Sequence, residues 1–382
     1  MAHNPDDFPT PGQYIRALLA EREWDQRTLA HVLGLDYGST NRLVLDKRPV
    51  DAFSSIMLAE VFGGEADDFL RLQRKFDLAV ARASTRPDKN RALRAALFGN
   101  LPVAEMIKRG WLKADLKNIQ QVETELMRFF GVPSLELVPT IPAAAKKATA
   151  GGEMTPKQNA WVRRVVEIAA TLQTPRYSPD SVRAAIAKLG GLLGAVEGVT
   201  QAGPILAKAG VRLVVVDPLK GSKIDGVCTW LNDMAPVIGL SLRHDRIDNF
   251  WFVLRHELEH VLRGHGRKSA KIDVDIGAKR ENVSEEERVA DAAALEFCVP
   301  QDQMDRFYDK KHPFFMEVDV VGFAATLKVH PGLVVGQLQH RAGRFDRFRD
   351  YLAKVWELVT PTVATDGWGD PYPLAVETVR PG

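Results

Sequence analysis

The sequence has few cysteines, no excess of one charge and no long apolar segment. Cys228 and Cys298 are the only cysteines in 382 residues, which excludes a disulfide framework and a cysteine-rich metal cluster. The 51 Lys and Arg residues nearly balance the 49 Asp and Glu residues, so a nucleic-acid partner can be predicted only from local motifs. No apolar run reaches the roughly 18 residues that a membrane helix needs, and we expect no membrane partner.

The first residues also lack the apolar core that a signal peptide carries. Residues 1–11 are polar and contain several prolines. We therefore expect a cytoplasmic protein in which both cysteines are reduced.

Composition and hydrophobic periodicity divide the chain into five predicted regions. Residues 1–85 carry dense helical periodicity and predict an N-terminal helical domain. Residues 86–138 predict a helical connector, and residues 139–157, rich in Pro, Ala, Gly and Lys, predict a linker. Residues 158–345 predict an α+β domain. Residues 346–382 predict a C-terminal helix and tail.

The α+β assignment depends on a change of pattern near residue 211. Before it, Trp161–Leu172 and Ser181–Leu193 have helical periodicity. After it, three short runs rich in β-branched residues predict the strands Val211–Val216, Val227–Leu231 and Pro236–Leu242. A small sheet followed by helices is therefore expected.

The most specific motif is HELEH at residues 256–260. On a helix, His256 and His260 project from one face about a turn apart, close enough to bind one ion. Glu257 can then reach a water molecule on that ion without binding the ion itself. This is the HExxH spacing of zinc proteases, with Glu257 as general base. The alternative is that both histidines are solvated residues on an amphipathic helix.

The limits of this helix can also be predicted. Asn249 or Asp248 is a suitable N-terminal cap, and Gly264 is a suitable stop after Arg263. A metzincin would need glycine and histidine where this chain has Arg263 and Gly266, so that class is excluded.

A gluzincin takes its third ligand from a glutamate on a later helix. Glu287 and Asp291 fit this ExxxD spacing, with Glu287 as the ligand and Asp291 holding a histidine ring by a hydrogen bond. However, Ser284 and Glu287 also form a capping-box pattern, in which the glutamate bonds back to the backbone. Glu286 is then the fallback ligand, and His265 is a further alternative.

Three segments together resemble the ImmA/IrrE metallopeptidases. They are PVIGL at residues 236–240, FWFVLRHELEH at 250–260 and ERVADAAALEFCVP at 287–300. The resemblance covers about residues 211–300. The last segment departs from the family at Ala293, Phe297 and Cys298, where a Phe and a Leu pair are usual, which affects packing and not the ligands.

This resemblance implies a gluzincin-like zinc site. His256, His260 and Glu287 would bind Zn²⁺, and Glu257 would be the general base. Known members cleave or inactivate repressor proteins, so the implied substrate or partner is a regulatory protein. No second donor for the oxyanion can be assigned from sequence, although Arg255, His265 and His330 are candidates.

The N-terminal region contains a second motif. Two short helices flanking the turn Leu33-Gly34-Leu35 have the spacing of a helix-turn-helix. Its second helix would enter the major groove of DNA, with four candidate base contacts, Tyr37, Gly38, Ser39 and Asn41. Four further residues are candidate phosphate contacts: Gln26, Arg42, Lys47 and Arg48.

The alternative for this region is a plain helical bundle, because Asp36 and Asp46 weaken the local positive field. The run from Pro11 to Ala79, however, resembles the Xre-type domains of HigA-like antitoxins. That resemblance implies binding to double-stranded operator DNA. Such proteins often dimerise to read palindromes, so a homodimer is one expected state, although no dimer surface is evident in the sequence.

Together these motifs predict a multidomain protein with an all-α helix-turn-helix domain, a helical middle region and an α+β zinc peptidase domain. The first functional hypothesis is a zinc endopeptidase coupled to a DNA-binding domain. The second is a non-proteolytic repressor or antitoxin-like regulator, in which the zinc domain senses a signal or binds a partner.

Overall fold

The computed structural model describes residues 3–84, 88, 91–138, 154–267, 269–274, 283–367 and 370–371. Over these residues the protein is mostly helical, with one small mixed sheet. The chain divides into two compact units, Met1–Arg91 and Ala92–Gly382. No helix in the described ranges is both long enough and apolar enough to cross a membrane.

In its described residues, the first unit has five α-helices and the short 3-10 helix Pro5–Asp7 around one apolar core. Aspartates or threonine cap four of them, since Thr10, Asp25, Asp36 and Asp51 each accept a hydrogen bond from a backbone N–H in the first turn. The helices are α1 (Pro11–Glu21), α2 (Gln26–Leu33), α3 (Tyr37–Val44), α4 (Ala52–Phe62) and α5 (Ala66–Ser84). Their buried side chains include Ile15, Leu29, Leu43, Leu58 and Phe69.

The predicted pair of helices around Gly34 is present. Helix α2 ends at Gly34, whose φ of +65° is left-handed, a conformation that glycine adopts without strain. Asp36 then caps α3. Leu29 and Leu33 of α2 and Leu43 of α3 are buried.

The second unit contains the remaining helices and the sheet. Its helices are α6 (Arg91–Asn100, whose first residue closes the first unit), α7 (Val103–Lys108), α8 (Ile119–Phe130), α9 (Pro156–Ala170), α10 (Pro179–Gly190), α11 (Ala202–Lys208), α12 (Ile247–Leu262), α13 (Glu285–Cys298), α14 (Gln301–Lys311), α15 (Glu317–Leu327), α16 (Pro331–Ala342) and α17 (Trp356–Val359). Short 3-10 turns join several of them.

The strands are β1 (Arg212–Val215), β2 (Ile224–Trp230), β3 (Pro236–Leu240), β4 (Lys271–Val274), β5 (Ala364–Gly367) and β6 (Asp370–Pro371). Their order across the sheet is β4-β2-β3-β1-β5-β6. Strand β1 runs parallel to β3 and to β5, whereas β2 runs antiparallel to β3 and to β4. Strand β4 is therefore an antiparallel edge strand.

Successive side chains of β1 enter two different cores, as strand alternation requires. Leu213 and Val215 pack with α12 on one face of the sheet. Val214 and Val216 pack on the other face with α9 and with the helices α6 to α8. The residues predicted as a connector thus contribute to one of the two cores of the second unit.

Three predicted strands are confirmed with small shifts of their ends, as β1, β2 and β3. Strands β4, β5 and β6 were not predicted.

The N-terminal cap predicted for the helix that carries HELEH is wrong. Helix α12 begins at Ile247, and Arg246 occupies the cap position without a side-chain hydrogen bond. Asp248 lies in the first turn. Residues 139–153 of the predicted linker, and residues 368–369 and 372–382 of the predicted C-terminal region, lie outside the described residues.

Helix α12 should contribute strongly to the stability of the second unit. Leu258 is 1% exposed in its core. We expect Leu258→Ala to lower the free energy of unfolding by about 2–5 kcal/mol, because it removes buried methyl groups and leaves a cavity. Urea unfolding followed by tryptophan fluorescence reports mainly this unit, since Trp24 is the only tryptophan in the first unit.

The matched control is Leu116→Ala, the same chemical change in the same unit at a side chain that is 44% exposed. Its expected cost is below about 0.5 kcal/mol. Equal losses for the two variants would contradict the packing described for α12.

Candidate metal centre

Helix α12 brings the two histidines of the motif together. His256 and His260 are fully buried, and their Nε2 atoms face each other 3.1 Å apart. The four-residue spacing places them on one face of the helix, one turn apart. Two ring nitrogens thus converge on one point, as the sequence predicted.

The neighbouring helix α13 adds Glu287 to this pair. Its carboxylate oxygens lie 3.3 Å from His256 Nε2 and 3.6 Å from His260 Nε2. The backbone N–H of Glu287 donates to Ser284 Oγ at 3.3 Å, so the backbone of the residue takes part in the cap while its carboxylate faces the histidines. Glu286, the fallback, instead contacts Lys271 at 2.6 Å.

A fourth side chain, Asp273, was not predicted. It lies on the edge strand β4, paired in register with Gly226 of β2. Its Oδ2 atom is 3.2 Å from His256 Nε2 and 4.0 Å from His260 Nε2. The only signal in the sequence is an acidic residue within the alternating run KIDVD, which has no fixed spacing from the HExxH motif.

These four residues form a cluster that could hold a metal ion. One donor atom from each lies within 4.8 Å of all the others. Ligand atoms about 2.0–2.2 Å from a tetrahedral zinc ion lie roughly 3.3–3.6 Å from one another. The separations of 3.1–4.0 Å between the donors are close to that range, and two imidazoles with carboxylates suit a transition-metal dication.

Each histidine ring has a polar partner at its Nδ1 atom, on the side away from the cluster. His256 Nδ1 lies 2.9 Å from Asp291 Oδ1, the partner that the ExxxD spacing predicted. His260 Nδ1 lies 2.8 Å from His265 Nδ1. A proton on each Nδ1 leaves the lone pair of Nε2 directed into the cluster, which is the tautomer that a metal ligand needs.

His265 therefore contacts a ligand and is not one of the four clustered residues. It follows Gly264, whose φ is +69°, at the end of α12. The indole N–H of Trp230 donates to the carbonyl of His265 at 2.7 Å, which anchors this turn on β2. The sequence suggested His265 as an alternative ligand and as a candidate oxyanion donor.

Glu257 lies against β2 and is not one of the four clustered residues. It is fully buried, and neither an N–H donor nor a hydroxyl group of the described residues reaches its oxygens. A Cβ atom at Gly226 would overlap Oε1 of Glu257 and lie 2.8 Å from Val253. Glycine at this point of β2 is thus what allows the carboxylate to lie against the strand.

The charges of the cluster shift the pKa values of its members. Burial alone would lower the pKa of His256, but Asp273, Asp291 and Glu287 outweigh it and raise that pKa well above 6.5. Burial, with Asp273 close by, raises the pKa of the Glu257 carboxyl well above its usual value. Despite burial, the two histidines lower the pKa of Glu287.

The three candidates for a second oxyanion donor have other partners. Arg255 donates to Glu259 at 2.9 Å, His265 contacts His260, and His330 caps α16 by accepting from Gly332 N at 3.1 Å. Of these contacts, only that of His265 involves one of the four clustered residues, His260.

The residues predicted to contact DNA lie on α3 or just after it, except Gln26, which begins α2. Tyr37, Arg42 and Lys47 are exposed, and Tyr37 is 51% exposed. The remaining five are half-buried: Gln26, Gly38, Ser39, Asn41 and Arg48. Arg42 donates to Ser39 Oγ at 3.1 Å, and Arg48 lies 3.8 Å from Asp51.

Comparison with known proteins adds no family assignment. No protein-family model matches the chain, and no curated protein matches its sequence.

Metal binding at this cluster should weaken as the pH falls. A metal ion must displace the proton of His256, whose raised pKa makes protons strong competitors near neutral pH. For a single displaced proton, we expect the apparent affinity to fall by about tenfold per pH unit below that pKa. The raised pKa of His256 also stabilises the folded, metal-free protein at pH values below the pKa that this histidine has in the unfolded chain. That stabilisation is lost as the pH rises through the pKa of His256 in the folded protein.

As the pH falls, both effects reduce the difference in stability between the metal-loaded and the metal-free protein. The increase in Tm caused by excess Zn²⁺, compared with excess chelator, should therefore shrink from about pH 8 to about pH 6. Thermal unfolding followed by circular dichroism measures this difference. A metal-induced increase that is equal at all pH values, or absent, would contradict the assignment.

Proposed function

We propose that this protein is a zinc-dependent endopeptidase with a DNA-binding unit, and that its substrate is a regulatory protein. The observation that supports the proposal most directly is the buried pair His256 and His260 with Glu287 opposite and Glu257 beside it. The resemblance to ImmA/IrrE metallopeptidases in residues 211–300 supports the same chemistry.

Zinc is the metal that this donor set favours. Two imidazoles and a carboxylate are a frequent protein ligand set of catalytic zinc, and both rings are held by partners behind them. A zinc ion bound here would supply Lewis acidity, lowering the pKa of a water molecule and polarising a peptide carbonyl.

Glu257 would be the general base. The attacking water forms a C–O bond to the peptide carbonyl carbon while Glu257 accepts its proton. Glu257 then passes this proton to the amide nitrogen as the C–N bond breaks, so the products are a carboxylate and an amine. Burial with Asp273 close by raises the pKa of the Glu257 carboxyl, and a raised pKa suits a group that must accept a proton.

The proposed substrate class depends on the first unit. Helix α3 presents Tyr37 and Arg42 to solvent beside a glycine turn, as a recognition helix would. A protease joined to a DNA-reading unit would act near an operator, where a repressor is the natural substrate. The resemblance to the Xre-type domains of HigA-like antitoxins supports this part of the proposal, including a homodimer on a palindromic site.

A second function is favoured by one specific observation. Asp273 gives the cluster a fourth protein side chain, and zinc sites with four protein ligands are usually structural. On this alternative the protein is a non-proteolytic repressor or antitoxin-like regulator, and its metal domain is a sensor or a partner-binding module.

The variant Glu257→Gln separates these two functions. It removes the base while retaining the size of the side chain and all four clustered residues. We expect zinc to stay bound in a one-to-one ratio while peptide cleavage falls by about 10²–10⁴-fold, the contribution of general base catalysis. Mass spectrometry of new N-termini in a denatured proteome digest measures cleavage without a known substrate, and elemental analysis measures zinc.

The matched control is Glu259→Gln, the same change two residues along α12. Glu259 pairs with Arg255 and Arg263 outside the cluster, so this variant should cleave like the unchanged protein. Peptidase activity that survives in Glu257→Gln would contradict the role of Glu257 as base. Activity that is absent from both the unchanged zinc-loaded protein and Asp273→Asn would favour the non-proteolytic alternative.

DNA binding can be tested with selected random duplexes. If one sequence is enriched, Asn41→Ala should relax preference at one base pair, at a cost of about 1–3 kcal/mol. Lys47→Ala should weaken binding to all sequences and reduce the salt slope by about one.

The control for these variants is Lys75→Ala, which removes the same charge from α5, where Lys75 pairs with Asp6. It should leave DNA affinity unchanged. Failure of the unchanged protein to bind any duplex at low salt would remove the DNA-binding part of the proposal.

A further inference from the structure

We infer that Asp273 is a fourth metal ligand that closes the site, and that its carboxylate must leave before a water molecule can be activated beside Glu257. The inference rests on the metal-binding part of the proposed function. In the described conformation the enzyme would then be self-inhibited, because Asp273 blocks the position that the water molecule needs.

The distances between donor atoms form the first argument. His256 Nε2 is almost equally far from His260 Nε2, Asp273 Oδ2 and Glu287 Oε2, at 3.1, 3.2 and 3.3 Å. A tetrahedral ion with ligands at about 2.0 Å requires edges of roughly 3.3 Å. Asp273 Oδ2 is farther from His260 Nε2, at 4.0 Å, but one donor atom from each of the four side chains lies within 4.8 Å of all the others. This spacing is the reason to place Asp273 among the ligands of one ion.

Burial forms the second argument. Asp273 is 1% exposed although it belongs to an edge strand. An ionised carboxylate away from water is costly unless it is paired with a cation or coordinates a metal. In the metal-free protein the nearer of the two clustered histidines is His256, whose Nε2 lies 3.2 Å from Asp273 Oδ2. A metal ion bound by His256 and His260 would place a larger positive charge beside this buried carboxylate.

The position relative to Glu257 forms the third argument. Asp273 pairs in register with Gly226, and Gly226 is the residue against which Glu257 packs. The carboxylates of Asp273 and Glu257 are thus neighbours on one side of the cluster, where the general base would have to meet its water molecule. Asp273 and an activated water molecule would occupy the same corner, so they exclude each other.

The placement of Asp273 on strand β4 makes this exclusion reversible. Strand β4 pairs only with β2 among the described strands. Rotation of one side chain would remove Asp273 from the cluster without breaking a helix or a central strand. The other three clustered residues are on α12 and α13, which pack against each other in the same core, so they would stay in place when Asp273 moves.

Cobalt-substituted protein tests the inference directly. Co²⁺ reports its ligands through its visible absorption, and acetohydroxamate binds the metal only where a corner is free. The apparent affinity of such a probe is reduced by the fraction of molecules in the competent state. We expect Asp273→Asn to change the Co²⁺ spectrum and to bind acetohydroxamate at least about tenfold more tightly than the unchanged protein does.

The matched control is Glu286→Gln. It removes one negative charge from a carboxylate near the cluster that pairs with Lys271 and lies 3.6 Å from His265 Nε2. This variant should retain both the Co²⁺ spectrum and the hydroxamate affinity of the unchanged protein. If it behaves like Asp273→Asn, the effect is one of charge and the inference is wrong.

A second measurement avoids any variant that fails to fold. Relaxation of solvent water protons by the unchanged Co²⁺ protein should show no exchanging water on the metal, because four side chains surround it. Rapid water exchange, or identical hydroxamate affinities of the unchanged protein and Asp273→Asn, would overturn the inference while leaving the metal site intact. Absence of Co²⁺ binding would overturn the proposed metal site and the inference together.

Discussion

The structure of the second unit depends on the burial of ionisable side chains at one point between α12, α13 and the sheet. Two histidines and two carboxylates converge there, and a third carboxylate, Glu257, lies beside them. In a medium of low polarity, carboxylates this close repel each other and lose their hydration. The histidines offset part of this cost, which is seen in the raised pKa of His256 and the lowered pKa of Glu287. A divalent cation would offset the rest.

The scaffold supports this arrangement with packing rather than with charge. Leu254 and Leu258 of α12 lie in the core with Leu213 and Val215 of β1, so the opposite face of the helix can carry the histidines. Gly226 on β2 provides the room for Glu257. Asp291 and His265 then fix the two rings from outside the cluster. Each functional side chain is thus held by an element whose other face is apolar.

The local features of the site could be predicted from sequence, whereas the features that depend on strand pairing could not. The i, i+4 spacing of His256 and His260 follows from the geometry of a helix, and the ExxxD spacing led to Glu287 and Asp291. Asp273 was missed because its place in the cluster is determined by the register of β4 on β2, which has a bulge beside Gly226. Likewise, the sequence predicted only a connector where helices α6 to α8 lie. These helices share a core with Val214 of β1, and hydrophobic periodicity does not reveal a contact between segments so far apart in the chain.

The central claim is that one metal ion is bound by His256, His260 and Glu287. Anomalous X-ray diffraction at the zinc absorption edge from crystals grown with Zn²⁺ tests it most directly. The account predicts a single strong peak in the second unit, about 2.0–2.2 Å from both Nε2 atoms and from a carboxylate oxygen of Glu287. A crystal in which the cluster has no peak, with the Glu287 carboxylate turned back to Ser284, would contradict it.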